Sequence, residues 1–407
     1  MDVQTPIPAV VRYADRFHTV LGGGRHHVAS PLGAWLVLAL AGEATSGEAR
    51  TDLEGALGCD VATAAAAATA LLTRPHPLVG AAAAFWVRPY AVTDALRHWR
   101  DSLPEQVETG DIPSQQAGDA WARRHSLGLI DRFPLALTPE VLWVLASALA
   151  TKVSWRFPFT LAPAADLGAD SPWSTALTQV LRTPYHDPGF SPGHRQFIAA
   201  THRAGEVAVH IAAAVGDLEV VSVAAAADVA PDDVLAAAHH LATSATAATG
   251  GDVPGHRSLF DLPLGDGPAW TIREVPSLPG APRERCAAVL PAWSATSNHD
   301  LMGDADRALG FAAAGAGLAG RRRTGSHDIA AFQSAVARYS RTGFEAAAVT
   351  ALARSLAYIP APSGPSRVAE LRFARPYAVV AVATGAGSPW SGLPLFSAWI
   401  TEPEDAS

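Results

Sequence analysis

Glycines are the residues whose spacing in this sequence first suggests chemistry. Residues 315–320 read Gly-Ala-Gly-Leu-Ala-Gly, which matches the Gly-x-Gly-x-x-Gly fingerprint of dinucleotide-binding proteins, and three arginines follow. That fingerprint binds a pyrophosphate where a strand precedes it and a helix follows it in a βαβ unit. Here it follows an alanine-rich helical segment, and too little chain remains to build the unit. A nucleotide-dependent enzyme is therefore kept only as an alternative, which a titration with NADPH would test.

The fifteen histidines and two cysteines do not have the spacing of a metal site. The histidine pairs at residues 26–27 and 239–240 are adjacent, and adjacent residues of a helix or strand point in different directions. Cys59 and Cys286 lie far apart and are expected to be free thiols. The sequence shows no Gly-x-Ser-x-Gly elbow, phosphate-binding loop or other catalytic constellation. We therefore expect a protein without cofactor or metal that is not an enzyme.

Composition and charge narrow the classes of partner. A net charge of −8 on 407 residues argues against nucleic acid, which needs a basic face. The longest apolar stretch, residues 32–41, is too short to cross a bilayer, so no membrane partner is expected. The first residues have neither the basic start nor the apolar core of a signal peptide. A monomer is expected, either cytoplasmic or exported by a route that the sequence does not reveal.

The periodicity of apolar residues predicts mostly helices in the first third of the chain and mostly strands afterwards. Ser30 is placed as the N-cap of a buried helix that begins at Pro31. Because strands and helices do not alternate as in βαβ folds, the pattern favours the α+β class. Other predicted elements are helices over residues 7–21 and 300–309, a helix capped by Thr45 and Glu48, paired strands over 207–214 and 218–224, and a strand over 329–340.

One stretch near the C-terminus has no core pattern of its own. From Arg341 the chain passes Gly343 and a run of small residues to Thr350, and then becomes polar and proline-rich until the apolar strand at residues 377–382. Loops longer than about 12–15 residues inside compact domains are usually functional. The small residues could alternatively form the first turn of a surface helix. The stretch is thus predicted to be a functional loop or the start of a helix.

The order of several short motifs resembles that of the serpin family. Residues 27–32, His-Val-Ala-Ser-Pro-Leu, are similar to the family's N-V-x-x-S-P-L motif at the start of its second helix. Residues 290–294, Leu-Pro-Ala-Trp-Ser, are similar to its L-P-K-F-x-I motif. The resemblance runs with gaps from about residue 27 to residue 403, and its other segments are residues 40–50, 145–159, 300–310, 375–377 and 395–403.

The resemblance implies one α+β domain over residues 1–407, with about nine helices, three β-sheets and an exposed reactive loop at about residues 341–375. It also implies the activity of a suicide-substrate inhibitor of a serine protease. In that mechanism the protease cleaves the loop and forms an acyl-enzyme, and the cut loop enters the main sheet as a new strand. The target protease, elastase-like or subtilisin-like, is the implied partner.

The resemblance also implies the residues of the inhibitory machinery. The reactive bond falls at Ala357–Tyr358, and Arg354–Ser355 is the alternative. A buried cluster that governs sheet opening comprises Ser30, Gly33, Ser147 and Gln333. The hinge that starts insertion comprises Gly343, Phe344, Glu345, Ala346, Ala347, Ala348, Val349 and Thr350.

Two hinge residues depart from the family's inhibitory pattern. Phe344 stands where the family has Thr or Ser, and Arg341 stands where it favours an acidic residue. Forcing extra bulk into a packed site costs about 1–3 kcal/mol, so Phe344 is expected to slow entry of the loop. A non-inhibitory serpin-fold protein that binds or interacts with a partner is therefore the alternative function.

Overall fold

A computed structural model of the chain describes residues 6–183, 193–247, 253–276, 283–302, 306–319, 331–344 and 365–407. Six of its nine α-helices lie within the first 125 residues. They are α1 (Ile7–Leu21), α2 (Pro31–Gly42), α3 (Gly47–Leu57), α4 (Val61–Thr73), α5 (Asp94–Ser102), α6 (Gln115–His125), α7 (Pro231–Ala247), α8 (Asp306–Leu309) and α9 (Phe311–Ala319).

Most of the twenty described strands follow α6 in the chain. They are β1 (His27–Ala29), β2 (Val79–Val87), β3 (Val107–Gly110), β4 (Trp143–Thr151), β5 (Val153–Ser154), β6 (Thr160–Pro163), β7 (Gln179–Arg182), β8 (His194–Thr201), β9 (Gly205–Ala213), β10 (Leu218–Ala224), β11 (His256–Arg257), β12 (Gly265–Gly267), β13 (Trp270–Val275), β14 (Glu284–Leu290), β15 (Trp293–Asp300), β16 (Phe332–Tyr339), β17 (Gly343–Phe344), β18 (Ser366–Arg372), β19 (Tyr377–Ala383) and β20 (Pro394–Ile400).

Helix α2 is the centre of the core because its sequence is apolar all round. All twelve of its residues are buried, which is the behaviour expected of a helix without a polar face. Ser30 caps it as predicted, since its Oγ accepts a hydrogen bond from the backbone N–H of Gly33 at 3.3 Å. This cap fixes the position at which α2 begins, and the first turn of the helix is part of the candidate site.

Two of the β-sheets are continuous. The first has seven strands in the order β1-β20-β19-β10-β9-β8-β11, and its hairpin of β9 and β10 confirms the strand pair predicted from the sequence. The second has six strands in the order β12-β13-β18-β14-β7-β6. Strand β18 lies between β13 and β14, so it is hydrogen-bonded along both edges.

The remaining strands form one sheet that is parted along its middle. Its two ladders are β3-β2-β4 and β15-β16-β17-β5. Strands β4 and β5 are the same run of chain, separated only by Lys152, so the two ladders are halves of a single sheet. We call it the main sheet. Counted in this way, the described chain has three sheets and nine α-helices, and the predicted α+β class is confirmed.

Two local predictions were wrong. Residues 300–309 do not form one helix, because Asp300 ends β15 and only Asp306–Leu309 is helical in the described part of that segment. Thr45 does not cap α3, because its hydroxyl donates instead to the carbonyl of Gly42 and closes the end of α2. Both errors arose because a local sequence signal was interpreted without knowledge of the neighbouring element to which the residue belongs.

Among the described residues, no single helix has the length and apolarity needed to cross a membrane, although α3 and α4 would together, across a bend of 56°.

Candidate functional site: a parted sheet below the hinge

The candidate site is the gap between β4 and β16 in the main sheet. Within the described residues, β4 pairs with β2, β16 pairs with β15, and β16 meets β17 only at Tyr339. In the part of the chain that the structure describes, nothing pairs with the facing edges of β4 and β16, and open strand edges are templates for another strand. A groove lined by both strands and by the start of α2, and partly open to solvent, lies along this gap.

Gln333 of β16 ties one wall of the groove to the start of α2. Its side-chain carbonyl accepts a hydrogen bond from the Ser30 backbone N–H at 2.9 Å, and its amide donates to the Ser30 carbonyl at 2.8 Å. The Ser30 hydroxyl donates in turn to the carbonyl of Leu395 at 2.8 Å. One side chain of β16 thus pairs both backbone groups of Ser30, whose carbonyl also accepts from the Ala34 N–H of α2 at 3.3 Å.

Ser147 of β4 ties the other wall to the same helix. Its hydroxyl donates to the carbonyl of Gly33 at 2.8 Å. A Cβ at Gly33 would lie 3.3 Å from the hydroxyl oxygens of both Ser147 and Ser30, which is a tight approach, and the glycine keeps this space free. The structure therefore brings together all four residues of the predicted cluster, and through it both halves of the sheet are fastened to the first turn of α2.

We expect Gln333→Ala to destabilise the protein by about 1–3 kcal/mol. The substitution leaves the N–H of Ser30 without its partner, while the Ser30 carbonyl keeps the N–H of Ala34, and a buried unpaired group costs about 1–3 kcal/mol. Urea unfolding measures the change in free energy. Ser334→Ala, one position along on the opposite face of β16, is the matched control and should change stability by less than about 0.5 kcal/mol. Equal effects of the two substitutions would contradict the assignment.

The first two hinge residues already lie in the main sheet. Gly343 pairs with Ser154, and Phe344 pairs with Val153 on one side and Tyr339 on the other. Strand β17 is antiparallel to both neighbours, so it occupies the top of the gap in the direction that a longer inserted strand would take. The resemblance placed both residues in an exposed loop over about residues 341–375, but Gly343 and Phe344 are both buried.

Phe344 is buried in a group of aromatic rings. Its side chain is 3% exposed, and its ring meets that of Trp293 edge-on at 6.2 Å between centroids. Tyr339 stacks on Trp293 at 5.9 Å and packs against Trp155 at 4.9 Å. Burial raises the pKa of Tyr339 well above its usual value, so the phenol stays neutral. The burial of Phe344, expected as a cost of loop entry, is already complete here.

Arg341 holds the turn before the hinge by hydrogen bonds to the backbone. Its Nε donates to the carbonyl of Phe159 at 3.2 Å, and its own carbonyl accepts from the Phe159 N–H at 3.0 Å. The backbone N–H of Trp155 donates to Thr342, and the Trp155 indole donates to Ser340. An arginine thus fixes this turn through carbonyl groups, where an acidic residue would need a basic partner.

The predicted loop at residues 341–375 is shorter in the structure. Gly343–Phe344 is a strand at one end, and Ser366–Arg372 is strand β18 at the other. The remaining predicted residues lie outside the described part of the chain. They are Glu345, Ala346, Ala347, Ala348, Val349, Thr350, both residues of the predicted reactive bond, Ala357 and Tyr358, and both residues of its alternative, Arg354 and Ser355.

The glycines of the dinucleotide fingerprint have a packing role. Gly315 and Gly317 lie inside α9, so no strand and turn precede a helix at this position. A Cβ at Gly317 would lie 2.6 Å from the Cγ2 of Thr45, and only glycine lets α9 approach the end of α2 so closely. The nucleotide alternative therefore loses the structural context that it requires.

Two features of the site were not found from the sequence. Trp155 and Trp293 were noted within the motifs of residues 145–159 and 290–294, and neither motif shows that their rings converge on Phe344. The parting of the main sheet has no signal in a single sequence, because it depends on which strands fail to pair. A possible signal was the excess of aromatic residues just after β5 and at the ends of β15 and β16.

No family model and no curated protein matches the sequence. Solved structures do match over almost the whole chain. They include human glycosylated kallistatin, at 16% identity with a TM-score of 0.63 and 98% of each chain covered. Thyroxine-binding globulin in complex with thyroxine has 13% identity and a TM-score of 0.60, with 98% of this chain and 99% of that chain covered. The thermophilic serpin tengpin has 12% identity and a TM-score of 0.60, with 97% and 94% covered. Together with the parted main sheet, these likenesses show that the chain has the serpin fold.

Proposed function

We propose that the protein inhibits a serine endopeptidase as a suicide substrate. The protease serine attacks the carbonyl of Ala357, the bond to Tyr358 breaks, and an acyl-enzyme forms while the amine of Tyr358 leaves. The severed arm then continues β17 down the gap between β4 and β16 and carries the protease with it. The observation that supports this proposal is the parted sheet with the first two hinge residues already paired at its top.

The charges on the two walls suit the next residue of the arm. Glu345 follows Phe344 directly, and in the same register it would fall between Lys152 on one wall and Arg338 on the other. Both of these side chains are exposed. Opposite charges directly across a strand pair contribute about 0.2–1 kcal/mol each. Lys152 is the only lysine of the sequence, and it lies where the arm would present a carboxylate.

Side chains that would face the core also suit the groove. Because side chains alternate along a strand, Ala346, Ala348 and Thr350 would point to the same side as Phe344. The two alanines are small enough to enter between packed strands. Counting on in register, Thr350 would fall opposite Ser147 and Gln333. Its hydroxyl would thus reach the polar cluster at the start of α2, where a donor and an acceptor are useful.

The length of the arm fits the groove. Counting from the pair of Gly343 with Ser154, residue 354 would fall opposite Trp143, the first residue of β4. A cut after Ala357 therefore leaves an arm that covers the whole edge with residues to spare. A cut after Arg354 leaves an arm that just reaches the end of β4. The register accommodates both reactive bonds, and the identity of the target protease decides between them.

The experiment is incubation with elastase, subtilisin and trypsin, followed by denaturing electrophoresis and mass spectrometry. We expect a covalent complex that survives SDS, with the new C-terminus at Ala357 for elastase or subtilisin and at Arg354 for trypsin. The control is protease with its active-site serine blocked, which should give neither complex nor cleavage. A chain that is only nicked, with every protease tried, would contradict inhibition.

A binding or interaction protein with this fold is the second candidate, and the buried hinge favours it. Phe344 is anchored by aromatic rings, and Arg341 fixes the preceding turn through Phe159. If these contacts hold the hinge in place after the loop is cut, the arm stays outside the sheet. The protein would then present its loop without storing conformational energy.

A further inference from the structure

Four buried histidines meet at one place in the core, away from the hinge. They are His18 of α1, His27 of β1, His239 of α7 and His299 of β15, and none is more than 7% exposed. The ring of His18 lies 5.0 Å from that of His27 and 5.7 Å from that of His239, and the ring of His27 lies 6.1 Å from that of His299. We call this group the histidine cluster.

The hydrogen bonds of the cluster leave room for one added proton on two of its rings, but not for two. His27 Nδ1 donates to the carbonyl of Arg25 at 2.8 Å, so in the neutral relay its Nε2 accepts from His18 Nδ1, also at 2.8 Å. His18 Nε2 then accepts from the hydroxyl of Ser397 at 2.6 Å. One added proton is carried if the relay reverses and the Ser397 hydroxyl accepts from His18 Nε2, but a second sets the N–H groups of His18 and His27 against each other.

The cluster fastens β15 to the extended segment before α2. His299 Nε2 donates to the carbonyl of Val28 at 2.9 Å, and the Val28 N–H donates to the Ser297 hydroxyl of β15 at 3.1 Å. Two residues further on, Ser30 is held by Gln333 of β16. Segment 26–30 thus holds the β15–β16 half of the main sheet, which forms one wall of the groove.

Other charged groups around the cluster come from α1 and from the turn before β1. Asp15 accepts a hydrogen bond from His239 Nδ1 at 2.7 Å. Arg25 and His26 face the cluster from the turn, and no further acid contacts it within the described part of the chain. The described residues also contain no group of three side chains placed to hold a metal ion.

The histidines favour their neutral forms. Burial, and then the neighbouring histidines, lower the pKa of His18 well below its usual value. Burial also lowers the pKa values of His27 and His299, and the positive charge of Arg25 adds to this. A histidine with a lowered pKa binds more protons when unfolded than when folded. Stability is thus fully present above about pH 6.5 and is lost as the pH falls below it.

We propose that the histidine cluster is an acid-sensitive fastening that releases the β15–β16 half of the main sheet and widens the groove. Protonation of both His18 and His27 breaks the hydrogen bond between their rings and sets like charges against one another. Segment 26–30 then loses its hold on β15, and the edge of β16 moves away from β4. The opening in acid does not depend on the proposed inhibitory function. Its consequence, faster entry of the severed arm at low pH, rests on the proposed inhibitory function.

Hydrogen–deuterium exchange of the intact protein, corrected for intrinsic rates, tests the opening. Between pH 7.5 and 5.5 we expect amides of β15 and β16 to lose protection by at least about tenfold, since each coupled proton contributes up to tenfold per pH unit. His18→Gln and His27→Gln should each reduce this loss, because glutamine keeps a donor and an acceptor without titrating. Unchanged protection in the wild type, or full acid loss in both variants, would overturn the proposal.

A second substitution distinguishes titration of the histidine cluster from a purely structural role of its hydrogen bonds. Ser397→Ala removes the hydroxyl that would accept from a protonated His18 Nε2, so the loss of protection should begin at lower pH. A structural role alone would lower protection equally at all pH values. This variant decides the question if the histidine variants fail to fold. Exposed His240, next to buried His239, supplies the control His240→Gln, which should leave the pH profile unchanged.

The other buried pair, His194 and His210, supplies the remaining control. These rings are hydrogen-bonded at 3.1 Å, and burial lowers the pKa of His210 well below its usual value. His210→Gln should change acid sensitivity around β8 and β9 and leave that of β15 and β16 as it is. If exchange behaves as expected but no protease complex ever forms, the fastening is established and the inhibitory function is not.

Discussion

Cutting the chain between Ala357 and Tyr358 is expected to raise the melting temperature by about 6 °C. The severed arm would pair with both open edges of the gap, and each residue of a central strand makes two ladder hydrogen bonds worth about 1 kcal/mol each. Ordering the arm costs about 1–2 kcal/mol per residue, which leaves a net gain of order 5 kcal/mol after side-chain burial. At about 1.2 °C per kcal/mol for a chain of 407 residues, calorimetry would resolve the shift.

The matched control is the same protease treatment with a variant whose arm cannot enter. The cut wild type should also resist a second protease, because an inserted arm is no longer accessible. If cut and intact proteins melt at the same temperature and the arm remains open to digestion, the molecule stores no conformational energy. In that case the binding alternative takes the place of the inhibitory proposal.

Replacing Ala348 by arginine is expected to abolish both the covalent complex and the gain in melting temperature. In the register that starts at β17, Ala348 would face the core opposite Leu149 and Ala335, which are 8% and 2% exposed. A charged side chain cannot be buried there without a partner. Insertion would stop after Ala347, and the protease would complete hydrolysis. The protein would become a substrate that is cut without forming a complex.

Ala347→Arg adds the same charge one residue earlier and is the control. Its side chain would point to the opposite face, between buried Ala150 and half-buried Val336, and a long side chain can extend past Val336 toward solvent. We expect this variant to form complex and to gain stability when cut. Equal loss of inhibition in both variants would show that the arm does not continue in the register of β17.

The position of Phe344 changes the expected effect of the hinge. From the sequence, a bulky residue at this position is an obstacle to entry, with a cost of about 1–3 kcal/mol. In the structure its ring is already packed against Trp293, so the arm starts from a filled first position. The residues that remain to enter are Glu345 and the alanines. Their entry depends on how readily the two halves of the sheet separate.

The separation of the two halves of the main sheet is controlled by two contacts to residues 28–30. Gln333 binds the backbone of Ser30, and His299 binds the backbone of Val28. The first contact is neutral at all physiological pH values. The second belongs to a group of histidines that favour the neutral state, so acid weakens only one of the two fastenings. The protein would therefore open only partially in acid, because Gln333 continues to hold the backbone of Ser30.

The sequence by itself determined the class and much of the local structure. Ser30 before Pro31 specified where α2 begins, and the apolar run behind it specified burial, because caps and periodicity are encoded by near neighbours. The order of short motifs indicated the serpin fold. It also named all four residues of the cluster at the start of α2, although these are separated by up to 303 positions.

Only the tertiary structure decided how these residues act together. A parted sheet is a missing set of hydrogen bonds between β4 and β16, and no residue pattern records bonds that are not made. The four members of the histidine cluster come from four different elements. Their spacing in the sequence therefore indicates neither a metal site nor a pH-dependent contact. Likewise, Phe344 looks like an obstacle in the sequence and is an anchor in the structure, because the rings that receive it come from β15 and β16.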